Sequence, residues 1–335
     1  KECGQRSARR FNLQTEHRYR AQLLTALTVG LSLVASMTFA RAEDGAATEC
    51  ARIIDDAERL RCYDRASHVS VTPQPLSIWA DRIEKDAARE SFTLTARRPN
   101  YFLYTVVSPP NQAPYEITGS ADRLDDEEIK FQLSFQTKVA NDLFGRNGDL
   151  WFSFTQVSYW QLFNSDISAP FRETNYEPDG YLSFLTNYSL LGLSGRALNV
   201  GVVHQSNGRA EPLSRSWNRV YAEFQFVRGD FALFFKPWVR IKEDPAEDNN
   251  PDIENYLGHY ELRGLYHWNE HIFSVMLRNI FNDQHRYNSE LEWSFPIARR
   301  LRGLVQWYNG YGENLIDYNH NNHRIGIGIL MTDWL

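Results

Sequence analysis

From residue 98 onward the chain is built of stretches of about ten residues in which apolar and polar positions alternate, each closed by Gly, Asn, Asp or Pro. A period of two is the mark of a β-strand with one face against an apolar medium. Twelve stretches fit. The first six are Arg98–Val107, Ile129–Ala140, Leu150–Leu162, Gly180–Leu190, Arg196–Ser206 and Trp217–Val227. The second six are Phe231–Lys242, Tyr256–Trp268, His271–Ile280, Arg286–Ile297, Leu301–Tyr311 and His323–Trp334. The pattern predicts an all-β, twelve-stranded antiparallel transmembrane β-barrel, whose even strand count puts both ends on the periplasmic side.

Connection lengths test that prediction, because such barrels alternate long external loops with short periplasmic turns. Long connections follow the first, third, fifth, seventh and eleventh stretches (Ser108–Glu128, Phe163–Asp179, Asn207–Ser216, Glu243–Asn255, Gly312–Asn322), whereas Arg228–Asp230, Asn269–Glu270 and Ala298–Arg300 are tight. The ninth-to-tenth connection is also short and breaks the rule. Trp151, Trp160, Trp217, Trp238, Trp268 and Trp307 sit near stretch ends, as interfacial girdles require, although the core of a soluble sandwich would use them too.

The one long apolar run, Ala21–Phe39, follows Arg18 and Arg20 and precedes Ala40–Ala42, which is the layout of a cleaved signal peptide; a retained anchor is the alternative. Residues 1–42 therefore read as leader and signal, 43–97 as a periplasmic segment and 98–335 as the barrel. Of 36 basic and 42 acidic residues, seven and two fall in 1–42, so the exported chain carries 29 and 40, a net charge of −11. That sign disfavours nucleic acid as a partner. Cys50 and Cys62 flank a helix-like segment of an exported chain and suit a disulfide better than a redox or metal pair.

Strand parity then locates the chemistry. In the fifth stretch the even row Leu198, Val200, Val202, His204 and Ser206 is the more apolar, so His204 and Ser206 belong to the lipid-facing wall. In the sixth, Asn218, Val220, Ala222, Phe224 and Phe226 face out, while Arg219 and Glu223 face the lumen together with Glu261 and Arg263 of the eighth. Antiparallel pairing makes His204 and Asn218 cross-strand neighbours, with Ser206 beside them. A serine becomes a nucleophile when an imidazole can take its proton and a third group fixes the ring tautomer. Equally, these are polar residues at the external end of a strand, where His, Ser and Asn are common.

The run His204–Arg209, continued by Ser214–Arg219, resembles the outer-membrane phospholipase A family of Gram-negative bacteria. Two further blocks, Pro170–Pro178 and Lys236–Trp238 with Asn250–Ile253, resemble it too. The likeness runs from about Arg98 to the C-terminus. It implies a twelve-stranded outer-membrane enzyme that hydrolyses acyl esters of phospholipids and lysophospholipids (phospholipase A1 and A2 activity), with Ca2+ and as a homodimer. Position by position, it implies Ser206 as nucleophile, His204 as general base, Asn218 as its orienting partner and the Gly208 N–H in the oxyanion hole. It implies calcium ligands at the Arg209 carbonyl, the Ser214 hydroxyl and, from a second subunit, the Ser168 carbonyl. A family aspartate at a secondary calcium site falls at Glu211, with Asp248 as its candidate acidic partner across an insertion. Gln156, outward-facing among Phe152, Phe154, Ser158 and Trp160, needs a partner among lipid tails and is expected to find it across a dimer contact. Glu173, Asn175 and Glu177 are expected to be structural. A non-enzymatic pore, a structural barrel or an adhesin remains the alternative.

Overall fold

The computed structural model describes Cys50, Ile53, Asp55, Asp56, Glu58, Arg59, Cys62, Tyr63 and residues 77–107, 110–119, 123–282, 284–298 and 301–334. The leader and signal segment fall outside the described residues. The chain divides into two compact units, residues 1–74 and 75–335. In the first, Cys50 and Cys62 are joined by a disulfide with their Cα atoms 5.4 Å apart.

The second unit is a closed barrel in which every strand pairs with its neighbours in sequence and the first closes on the last. The strands are β1 (Asn100–Val107), β2 (Glu127–Ala140), β3 (Asp149–Trp160), β4 (Phe171–Leu190), β5 (Leu193–Ser206) and β6 (Ser216–Arg228). They continue as β7 (Phe231–Ile241), β8 (Tyr260–Trp268), β9 (His271–Arg278), β10 (Asn288–Ala298), β11 (Leu301–Gly310) and β12 (Asn322–Thr332). Closure leaves no unpaired edge, which a β-structure in hydrocarbon requires. Among the described residues no helix is long and apolar enough to cross a membrane.

Two departures from the pattern have physical causes. β4 begins at Phe171, nine residues before Gly180, because Pro178 and Gly180 read as turn residues yet lie inside the strand. Tyr256 belongs to a helical turn, Glu254–Leu257, and β8 starts only at Tyr260. The exceptional ninth connection also disappears: β9 ends at Arg278 and β10 starts at Asn288, so residues 279–287 form a long loop and the alternation becomes regular.

The inward rows carry the charge, and these charges meet across the lumen. Arg172 of β4 pairs with Glu128 of β2 at 2.5 Å and with Asp317 of the β11–β12 loop at 2.8 Å. Arg324 of β12 reaches Glu128 at 2.8 Å and Glu313 at 2.7 Å. Elsewhere in the lumen Arg97 bonds Glu223 of the opposite wall at 3.2 Å, Arg219 lies 3.3 Å from Glu177, and Arg278 binds Glu261 at 2.5 Å. The lumen is thus crossed by paired charges. At the periplasmic end a helix, Ile78–Ala87, sets Trp79 among Val227, Ala232, Leu265 and Ile272. Its indole N–H donates to the Asp230 carbonyl at 2.8 Å. Externally, Ile253, Leu257, Leu315 and Tyr318 of two loops pack with Trp217 and Trp238 into one apolar cluster.

Candidate functional site

Strand register sets out the candidate site. β5 pairs with β6 so that His204 lies opposite Asn218 and Ser206 opposite Ser216. β6 pairs with β7 so that Asn218 lies opposite Ile241. On the other side, Tyr176 opposite Ser206 and Asp179 opposite Val203 bracket Pro178, which therefore faces His204 without an N–H to donate to the ladder. His204 and Asn218 thus sit in a lateral row between Pro178 and Ile241. The row is outward-facing: Val202 and Val220, two residues inward along each strand, are 52% and 40% exposed, whereas Val203 and Trp217 are buried.

Within the row, His204 Nδ1 and Asn218 Oδ1 are 2.8 Å apart. An amide oxygen only accepts, so this contact places the proton on Nδ1 and leaves the Nε2 lone pair as a base. Ser206 lies two residues along the same face. Its hydroxyl makes no hydrogen bond to the ring among the described residues, and such contacts commonly tighten only when substrate is bound. Asn218 Nδ2 donates to Glu243 Oε1 at 2.9 Å.

The loop after β5 is held from several sides. Asn207, buried, accepts from the backbone N–H groups of Arg209 (3.3 Å) and Arg215 (3.0 Å) and donates to the Leu213 carbonyl at 2.8 Å. The Arg209 side chain is tied down by the Phe171 and Arg172 carbonyls and by the buried Glu173 carboxylate at 3.4 Å. Glu173 is therefore a lumen residue that anchors the outer loop. Gly208 has φ +63, and a Cβ there would lie 3.2 Å from the Tyr176 ring, so both backbone and space favour glycine.

Oxygen donors lie on this loop and on the loop between β3 and β4. The carbonyls of Arg209 and Ser168 accept no hydrogen bond among the described residues, and Ser168 itself is in the left-handed region at φ 62. The Asn249 amide N–H2 sits between the Ser214 hydroxyl (2.9 Å) and the Glu211 carboxylate (3.1 Å), a positive dipole between two oxygens. These hard donors suit calcium. Among the described residues no cluster of three or more His, Cys, Asp and Glu side chains exists, so a cation here must draw on carbonyl and hydroxyl oxygens. Asp248 does not turn toward Glu211, because it is held by Arg240 at 2.7 Å; Asn249 is the residue that faces Glu211. Gln156, midway along β3, donates to the Ser158 hydroxyl at 3.0 Å.

Strand parity already places His204, Ser206 and Asn218 side by side, and the register agrees. Parity missed Asn207, whose place inside the matched motif was the available signal, and Glu243, which shares the outward parity of Val239 and Ile241 four and two residues earlier.

Comparison with known proteins completes the assignment. The model of the Phospholipase A1 family matches residues 79–331. The chain is 40% identical over 242 residues to the Phospholipase A1 of Escherichia coli K12, covering 72% of this chain and 82% of that one. It is 41% identical over 242 residues to the Phospholipase A1 of Klebsiella pneumoniae, covering 72% and 83%. In structure it matches the outer membrane phospholipase A of E. coli with a TM-score of 0.72 at 37% identity, over 77% of this chain and 100% of that one. The calcium-bound dimer of the Salmonella typhi outer membrane phospholipase gives 0.71 at 37% identity, over 77% and 99%. By strand count, closure, sequence and superposition alike, the chain belongs to the Phospholipase A1 family of outer-membrane β-barrel enzymes.

Proposed function

We propose that the protein hydrolyses acyl esters of phospholipids and lysophospholipids through Ser206, His204 and Asn218, with calcium and as a homodimer. The observation that carries this reading is the 2.8 Å contact between His204 Nδ1 and Asn218 Oδ1 on the lipid-facing wall, with Ser206 beside it. In its support, one solved structure of the E. coli relative is an active-site mutant with an asparagine changed to alanine.

On this reading His204 Nε2 takes the Ser206 proton as Oγ attacks the ester carbonyl, and returns it to the departing alcohol of the lysolipid. The acyl group remains on Ser206 until water, deprotonated by the same nitrogen, releases the fatty acid. The Gly208 N–H stabilises the oxyanion, held in place by the left-handed turn and the Asn207 clamp. The Arg209 carbonyl, the Ser214 hydroxyl and the carbonyl of Ser168 of the partner subunit would hold calcium, which supplies positive charge near the developing oxyanion. Gln156, lying in the lipid-facing row of β3, would pair across the dimer contact. The ion pairs that bridge the lumen argue against an open pore.

Purified protein in mixed micelles should release fatty acid with calcium and stop on chelation. Ser206→Ala should abolish release and block labelling of that serine by a long-chain sulfonyl fluoride, read by mass spectrometry. Undiminished release in that variant, or bilayer conductance without hydrolysis, would sink the proposal.

A further inference from the structure

We propose that Glu243 is a positioning residue that fixes the Asn218 amide and supplies, one hydrogen bond further out, the negative charge that an asparagine triad lacks. This rests on the triad reading above. An asparagine side chain has two ends of nearly equal shape and opposite polarity. With Oδ1 toward the ring, His204 carries its proton on Nδ1 and presents a basic Nε2 to Ser206. Turned over, the amide would donate to Nδ1, move the proton to Nε2 and leave the serine without a base. The choice between the two is set by whatever the far end of the amide meets. It meets Glu243 Oε1 at 2.9 Å. A carboxylate only accepts, so it pairs with Nδ2 and excludes the inverted amide.

The placement follows from the ladder. Asn218 lies opposite Ile241, and Glu243, two residues past the end of β7, continues the outward row of Val239 and Ile241. The carboxylate is half-buried, and Asn218 is its only hydrogen-bond partner among the described residues. A charge in that position polarises the amide, strengthening its oxygen as an acceptor for the imidazolium that forms as Ser206 attacks. No proton passes to Glu243: the serine proton goes to Nε2 and Nδ1–H stays on the ring.

The relay also predicts why asparagine stands at 218. An aspartate there would set two carboxylates against each other, and it would work only if residue 243 became a neutral donor. Kinetics of the full chain in calcium-containing mixed micelles test this. Glu243→Gln keeps an acceptor but loses the charge and admits the inverted amide pair, so kcat should fall about tenfold with KM changed less than about twofold, the ratio between a charge-assisted and a neutral hydrogen bond. Glu243→Asp should recover part of the loss. Asn218→Asp should fall further, and the double variant Asn218→Asp with Glu243→Gln should regain at least about tenfold over it. That recovery shows that residues 218 and 243 act on turnover through each other, and the fall in kcat at constant KM in Glu243→Gln separates the relay from a merely structural role. If Ser206→Ala is inactive while Glu243→Gln and Glu243→Ala keep full kcat, the relay is wrong and the triad stands. If the Glu243 variants only raise the calcium needed for half-maximal rate, Glu243 is a cation ligand and the relay is again wrong. If Ser206→Ala stays active, the triad reading itself has failed.

Discussion

The two faces of this barrel wall handle polarity in opposite ways. Inside, arginines and carboxylates are packed to near-complete burial and tied in closed networks, as with Arg172 between Glu128 and Asp317. Outside, beside His204 and Asn218, the row is completed by Pro178 and Ile241, and the one charge bonded to it, Glu243, lies beyond the strand end. A buried charge that always has its partner can stabilise a fold but does no chemistry. On the reading proposed above, the neutral pair His204 and Asn218 at the edge of an apolar surface is the one left to take up and return a proton. The contrast divides stability from reactivity across a single layer of backbone.

The strongest test of that division is His204→Ala. It should lower hydrolysis by about 10³-fold, the usual contribution of a general base, and leave the thermal unfolding temperature in detergent unchanged. A large drop in that temperature would mean that the outer row also carries the fold. Next in size is Arg172→Met. Removing the guanidinium leaves Glu128 with Arg324 as its cation and Asp317 with the amides of Asn111 and Asn314, and should cost about 3 kcal/mol, visible as a lower urea midpoint of unfolding. Smaller again is the acid response of the loop cluster. Burial pushes the Asp317 carboxyl up, but Arg172 and hydrogen bonds from Asn314 and Asn111 outweigh it and hold it below its ordinary value of 3.8. Its stabilising contribution is therefore complete above about pH 4 and is lost as pH falls through the depressed folded value. Asp317→Asn should remove that part of the acid-induced loss of stability, and an unchanged acid profile would count against the network.

Much of this was legible in the sequence, for a physical reason. The period-two pattern is repeated in strand after strand and runs unbroken from Ala197 to Ser206, so twelve strands and the His204–Asn218 pairing could be read by parity. What failed was local. Pro178 and Gly180 imitate a turn, and only the paired strands on either side show that β4 runs through them. The helix Ile78–Ala87 buries little beyond Trp79 and Ala80 and has too short an apolar face to announce itself. Asp248 was the expected acidic partner of Glu211, but Arg240 claims it, an event of tertiary packing that spacing cannot reveal. Glu243 escaped notice because its hydrogen bond to Asn218 is made beyond the last ladder pair.

The sideways orientation of the row beside His204 also fixes what sets the pace of the proposed reaction. A lipid arriving by lateral diffusion keeps its tails in the leaflet throughout, and its fatty acid product departs the same way. Turnover should then follow the mole fraction of phospholipid in the surface rather than its concentration in the suspension, so that adding inert detergent at constant total lipid slows the enzyme by surface dilution.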